Sequence, residues 1–142
     1  GIGPKLLFFE NDYFVYEYID GDFIADYLKK SNKIQIKKII RSIFHQLHTL
    51  DKLKIDKEEM HHPVKHIIIS RQKPRMIDFE RAHYAQNPKN ITQFCQYIIS
   101  KKTTELLRKN GIKISAGRTI RLAKVYKKNP NNGNFNNILD SI

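Results

Sequence analysis

The pattern that most restricts this chain lies between residues 36 and 50. Apolar side chains fall at Ile36, Ile39, Ile40, Ile43, Phe44, Leu47 and Leu50, in steps of 3, 1, 3, 1, 3 and 3. That spacing suits one broad face of an α-helix and no strand. Ser31 or Asn32 can cap its start, and Lys37, Lys38 and Arg41 fall on the wet side. This helix is expected to be the spine of one domain, and 142 residues suffice for one domain with a real core.

Around that spine the chain reads as α+β. Pro4–Glu10 and Tyr13–Ile19 are short, aromatic and β-prone about the turn pair Asn11-Asp12, which predicts a hairpin packed by Tyr13, Phe14, Tyr16 and Tyr18. Asp20-Gly21-Asp22 breaks it, and a helix is expected from Asp22 to about Lys30 with Phe23, Tyr27 and Leu28 on one side. Residues Lys54–Lys65 read as a polar loop. Ile67-Ile68-Ile69 and Met76-Ile77 predict a second hairpin, turning at Arg71–Arg75 and ending at Asp78. Asn90 is expected to cap a helix over Ile91–Lys101 carrying Ile91, Phe94, Cys95, Ile98 and Ile99. Further helices are expected over Thr103–Asn110, stopped by Gly111, and over Ser115–Lys128; Asn129–Asn134 reads as a loop before a short terminal segment. No regular βαβ alternation appears, which argues against a Rossmann-like sheet.

Lys and Arg number 26 against 14 Asp and Glu, a net charge of +12 that favours polyanionic partners. The one cysteine, Cys95, excludes an internal disulfide and fits a reducing compartment; on its apolar face it reads as core. There is no apolar run of the roughly 20 residues a membrane span needs, and no secretory leader, so a cytoplasmic location and no membrane partner are expected.

The chemistry concentrates around Asp78, an acid at the mouth of the second hairpin. Taken alone it reads as a strand-ending turn. With a polar loop opposite it, it reads as a metal carboxylate. Glu59, His61, His62, Lys65 and His66 flank one side, and Glu80 and Arg81 the other. Mg²⁺ with bound phosphates needs hard oxygen ligands and only one or two protein carboxylates.

In order and motif the chain resembles the protein-kinase fold from the last two strands of the small lobe onward. The segment Glu17-Tyr18-Ile19-Asp20-Gly21 is similar to the hinge, Ile55–Ile69 to the catalytic loop and following strand, and Ile77-Asp78-Phe79-Glu80 to the Mg-binding Asp-Phe-Gly segment. The nearest likeness is to small, divergent, mainly archaeal predicted serine/threonine kinases, related to the RIO and lipopolysaccharide-kinase-like groups. It covers about Gly1 to Ile99. The resemblance implies residues 1–21 as the last small-lobe strands and hinge, and residues 22–142 as a mainly helical large lobe. It implies ATP and Mg²⁺ as cofactors. The backbone of Glu17, Tyr18 and Ile19 would meet adenine, and Asp78 and His66 would hold Mg²⁺. Glu59 would orient the acceptor hydroxyl and take its proton, while Lys65 would offset phosphate charge.

The chain departs from the family at several points. Glu59 stands for the loop aspartate, with Asp56 as the alternative base; His66 stands for an asparagine and Glu80 for a glycine. Gly1-Ile2-Gly3 is too short for a glycine-rich loop, and no strand lysine is present. A preceding piece carrying both is expected, because a hairpin at residue 1 leaves an open sheet edge; the competing expectation is a degenerate domain. Only 11 residues separate Asp78 from Asn90, too few for a long activation loop, and no Ala-Pro-Glu segment follows. Broad peptide-kinase activity is therefore not expected; a specific macromolecule, a small hydroxyl substrate or autophosphorylation is.

Two further groups of residues carry competing readings. His45 and His48 lie three apart on the spine helix, a spacing open to zinc together with His61, His62 and His66, but no cysteine pair supports it. Lys113, Arg118, Arg121 and Lys124, with Lys127 and Lys128, read either as a solvated basic face or as a site for RNA, DNA backbone or an acidic protein. Arg118, Arg121 and Lys124 are expected on one flank of the helix, and Ile120, Leu122 and Val125 on its apolar side. Three functions follow: a divergent phosphotransferase, an inactive kinase-like binding module, and a basic nucleic-acid-binding domain.

Overall fold

The computed structural model describes all of residues 1–142. The fold is α+β, with the long helix at its centre. Strands β1 (Leu6–Phe9) and β2 (Phe14–Tyr16) form the N-terminal antiparallel hairpin, with a bulge between Leu6 and Phe8. Next come β3 (Asp22–Phe23), α1 (Ile24–Lys30) and α2 (Lys33–Lys52). Strand β4 (Ile55–Asp56) and a 3-10 turn (Pro63–Lys65) lead into β5 (Ile67–Ser70) and β6 (Lys73–Met76). Strand β7 (His83–Tyr84) pairs back with β4. Helices α3 (Asn90–Ile98), α4 (Lys101–Lys109), α5 (Ala116–Lys128) and α6 (Asn132–Leu139) complete the chain.

Helix α2 is built as the apolar spacing predicts. Ile36, Ile39, Ile40, Ile43, Phe44, Leu47 and Leu50 are all buried. Asn32 caps it: its side chain accepts from the Gln35 N–H, and the Gln35 side chain accepts from the Asn32 N–H, each at 3.0 Å. Against α2 packs α3, whose Ile91, Phe94, Cys95 and Ile98 are buried; the Phe44 and Phe94 rings meet edge to face, 5.0 Å between centroids. One apolar cluster gathers these residues with Ile24, Leu28, Met60, Ile67, Met76, Leu107, Tyr126 and Phe135. No residue of the β1–β2 hairpin belongs to it: every strand residue there is exposed.

The second sheet has the order β3-β5-β6, antiparallel throughout, with Asp22 opposite Ile69 and Ile67 opposite Met76. Gly21 makes the first contact possible, because a Cβ there would collide with the Ile69 carbonyl. The β5–β6 turn is tighter than its composition suggests. It uses only Arg71 and Gln72, both at positive φ (47° and 60°), in the sense that suits a twisted two-residue hairpin.

Several boundaries differ from expectation. Helix α1 begins at Ile24, since Asp22 and Phe23 are taken by pairing with β5, and Phe23 is exposed. Strand β6 covers Lys73–Met76, not Met76-Ile77. The loop over Lys54–Lys65 contains β4 and the 3-10 turn, and the terminal segment is a helix, α6, capped by Asn131. Asn90 is the first helical residue of α3 and not its cap; its side chain turns inward. On α5 the buried face is Thr119, Ala123 and Tyr126, with Leu122 half-buried, while Ile120 and Val125 face outward.

Candidate functional site

The loop after α2 is shaped by two buried polar side chains. The Asp56 carboxylate accepts from the Glu58 N–H, two residues on, and from the Lys89 N–H, both at 3.1 Å. That turn carries Glu58 and Glu59 at positive φ, 62° and 54°. The Asn90 amide ties the loop to the helices: its oxygen accepts from the Lys57 N–H at 2.8 Å, and its nitrogen donates to Asp51 at 2.8 Å and to the Ile55 carbonyl at 2.6 Å. The Met60 N–H donates to the Gln93 side chain at 2.9 Å, and the Met60 side chain is fully buried. The backbone around Glu59 is therefore pinned on both sides, and its side chain is left to project.

The β5–β6 hairpin delivers the other two groups. His66 directly precedes β5, and its carbonyl accepts from the Ile77 N–H at 3.0 Å, which brings Asp78 beside it. Asp78 itself leaves the extended conformation, at φ 62°. Such a backbone state costs a non-glycine residue about 1–3 kcal/mol and persists only where its surroundings hold it. Here the Lys57 ammonium donates to the Asp78 carbonyl at 2.7 Å and lies 4.8 Å from the centre of the Phe79 ring. Burial holds Lys57 below the ordinary lysine range, while the charges of Asp78 and Glu59 pull the other way.

Glu59, His66 and Asp78 thus converge, with one potential ligand atom from each lying within 4.8 Å of the others. His66 Nε2 is 3.3 Å from the Glu59 carboxylate and Nδ1 is 3.2 Å from that of Asp78. Neither approach is a hydrogen bond, and Nδ1 is buried with no hydrogen-bond partner. Arg81 holds the other Glu59 oxygen at 3.0 Å. The Asp78 side chain stays 42% exposed, open to a ligand and not sealed under apolar atoms. Two carboxylates and an imidazole with a free nitrogen make a donor set that fits a divalent cation, with the exposed acid leaving room for further oxygen ligands. A cleft of about 450 Å³ adjoins Asp78, between Leu6, Phe14 and Tyr16 of the first hairpin and the segment Ile77–Glu80.

Asp56, the alternative base, is buried with both carboxylate oxygens engaged, so the projecting acid is Glu59. Lys65 is exposed on the 3-10 turn, and Lys57 is the lysine in contact with Asp78. Glu17, Tyr18 and Ile19 connect β2 to β3; Tyr18 is 86% exposed, and the backbone groups of Tyr18 and Ile19 make no hydrogen bond to the rest of the chain. His61 and His62 are exposed and outside the cluster. The zinc alternative fails at His48, whose two ring nitrogens are taken by the Tyr126 hydroxyl at 2.9 Å and Asn132 at 3.1 Å. Lys57 and Asn90 are the contributors that the sequence did not single out as functional. Lys57 is one of several lysines in a charged run, and Asn90 looks like an ordinary helix cap.

The chain is 30% identical over 115 residues to the uncharacterized protein MJ1211 of Methanocaldococcus jannaschii; the match covers 79% of this chain and 98% of that protein. No protein-family model matches the chain.

Proposed function

The chain belongs to the family of the uncharacterized Methanocaldococcus jannaschii protein MJ1211, and we propose that it is a kinase-like phosphotransferase, moving a phosphoryl group from Mg-ATP to a hydroxyl. The observation that carries this reading is the convergence of Glu59, His66 and Asp78 at the mouth of the β5–β6 hairpin. It is the arrangement expected from the likeness of Ile77–Glu80 and of the loop before β5 to kinase segments.

In this reading Asp78 and His66 would hold Mg²⁺, which when bound would neutralise phosphate charge. Glu59 orients the acceptor hydroxyl and takes its proton, with Arg81 fixing the carboxylate. Lys57 acts indirectly, by holding the Asp78 backbone in its left-handed state. Most of the catalysis would come from such positioning and charge stabilisation. The cleft beside Asp78 is of a size that nucleotides fill, and the unpaired backbone groups of Tyr18 and Ile19 are available to an adenine edge.

Titration calorimetry tests the first half. Mg-ATP should bind, and Asp78→Ala should weaken that binding at least tenfold while circular dichroism shows the fold retained. Equal affinity in the two proteins would remove Asp78 from the site and the proposal with it. Transfer of radiolabelled phosphate tests the second half. Glu59→Gln should abolish transfer while leaving nucleotide binding in place. Binding without any transfer by the unaltered chain would instead favour an inactive kinase-like module.

A further inference from the structure

Helix α5 lies away from the Glu59–His66–Asp78 cluster in the chain and has a different character. It carries Arg118, Arg121, Lys124, Lys127 and Lys128 and no acidic residue. None of the five forms an ion pair. Its outward face forms one wall of an open groove of about 830 Å³, which Asn87 of the β7–α3 loop also lines. Arg121, Lys124 and Lys128 follow one another along it at steps of three and four, while Gly117 leaves the near end bare. Ile120 and Val125 are each 44% exposed between the cations. Arg118 does not line the groove, so the cationic row runs through Lys128 and not through Arg118.

We propose that this groove binds the phosphate backbone of a nucleic acid strand. From Arg121 to Lys128 the row spans about 10 Å at 1.5 Å per residue, the length of about three phosphates along one strand. The sign of the charge is uniform, so each cation is free to replace a counterion. Ile120 and Val125 give aliphatic surface against which sugar rings can rest, and the Asn87 amide adds a neutral hydrogen-bonding group at the rim. An acidic peptide fits less well. Four of the eight lining residues are cations, Arg121, Lys124, Lys127 and Lys128, and only two are hydrophobic, so regularly spaced charge and not a set of apolar anchors dominates the lining. No base-reading motif is present, and binding is independent of sequence.

Fluorescence anisotropy with labelled single-stranded RNA, single-stranded DNA and duplex DNA of equal length tests the proposal and identifies the source of the phosphates. Affinity for at least one should fall roughly 15- to 50-fold between 50 and 200 mM salt, the loss expected for three or four neutralised phosphates on a single strand. The triple variant Arg121→Glu, Lys124→Glu, Lys128→Glu should lose at least tenfold in affinity and flatten the salt dependence. A charge-matched control, Lys101→Glu, Lys102→Glu, Lys109→Glu, should lose far less. Equal losses in the two triples would mean diffuse attraction to a basic protein and would overturn the assignment. So would labelled polyglutamate binding as tightly as the nucleic acids. Binding should survive Asp78→Ala, which separates this site from the proposed phosphotransfer centre.

Discussion

Asp51 is a residue whose environment alters its chemistry within the pH range where the chain can be studied folded. It sits on the buried face of α2, accepting from Asn90 at 2.8 Å and from the Tyr126 hydroxyl at 3.0 Å. Burial pushes its carboxyl up from 3.8 to about 6, more than those two hydrogen bonds pull it down. Between those values the folded chain keeps a proton that the unfolded chain has released. The stability Asp51 contributes is therefore full below pH 3.8 and is lost as pH rises through about 6. At about 1.4 kcal/mol per unit, two units amount to roughly 3 kcal/mol. His48, held below its usual value mainly by burial, works in the opposite sense, costing stability as pH falls below 6.5. The comparison that isolates Asp51 is urea unfolding of the unaltered chain and Asp51→Asn at pH 4 and pH 7. The stability of the unaltered chain relative to the variant should drop by about 2–3 kcal/mol from the lower to the higher pH. Parallel profiles would show that Asp51 titrates as an ordinary surface acid.

Asn32 and Asn90 both stand at helix starts, and they act at the level of the element in different ways. Asn32 closes a capping box on α2 and sits in solvent, so Asn32→Ala should cost about 1 kcal/mol. Asn90 opens α3 without capping it; its fully buried amide joins α2, β4 and the Glu59 loop through three hydrogen bonds. Asn90→Ala strands the Lys57 N–H and the Ile55 carbonyl and takes a donor from Asp51, at about 1–3 kcal/mol for each buried group left unpaired. Denaturant titration should therefore rank Asn90→Ala well below Asn32→Ala in stability. A reversed order would mean that the loop re-forms its bonds without the amide. The β5–β6 hairpin completes the site because its turn takes only two residues, which sets the register that places Asp78 beside His66.

At the scale of the molecule, charge and apolar surface are unevenly shared. Residues 1–22 hold five of the 14 acidic side chains and one of the 26 basic ones; the remainder carries 25 − 9 = +16. The same hairpin exposes Leu6, Leu7, Phe8, Phe9, Tyr13, Phe14, Val15 and Tyr16, each at 44% or more. Both faces of the ribbon thus present apolar side chains to solvent, and exposed apolar surface of this kind marks a place where other atoms come to rest. Because these side chains add almost nothing to the core, Phe9→Ser with Phe14→Ser should change the unfolding free energy by no more than about 0.5 kcal/mol. The same pair should lower binding of a hydrophobic dye and any self-association seen by sedimentation. A large stability loss would show that the hairpin packs on the body in solution.

Much of this architecture is legible in local pattern, since a helix face or a hairpin announces itself through side chains a few positions apart. The buried face of α2, the first hairpin, the apolar stripe of α3 and the acid after the second hairpin follow from such spacing; of the two candidate caps for α2, Ser31 and Asn32, the structure uses Asn32, and Ser115, expected as the start of α5, is its cap. The burial of Ile120 and Val125 was expected wrongly, because α5 carries apolar residues on two faces and only its packing on α3 and α6 chooses between them. The roles of Asn90 and Lys57 were invisible for a related reason. Their partners lie 21 to 39 positions away, and no short-range pattern records a hydrogen bond that closes only when separate elements meet. Periodicity thus settles the elements with a long apolar face, because that is a short-range question of propensity and burial, whereas the two-residue β4 and the Asn-rich start of α6, which read as loop, carry no such pattern. Which acid projects and which is consumed internally, Glu59 or Asp56, is a long-range question, settled when the chain brings the Lys89 and Glu58 N–H groups to the Asp56 carboxylate and leaves Glu59 to project toward His66 and Asp78.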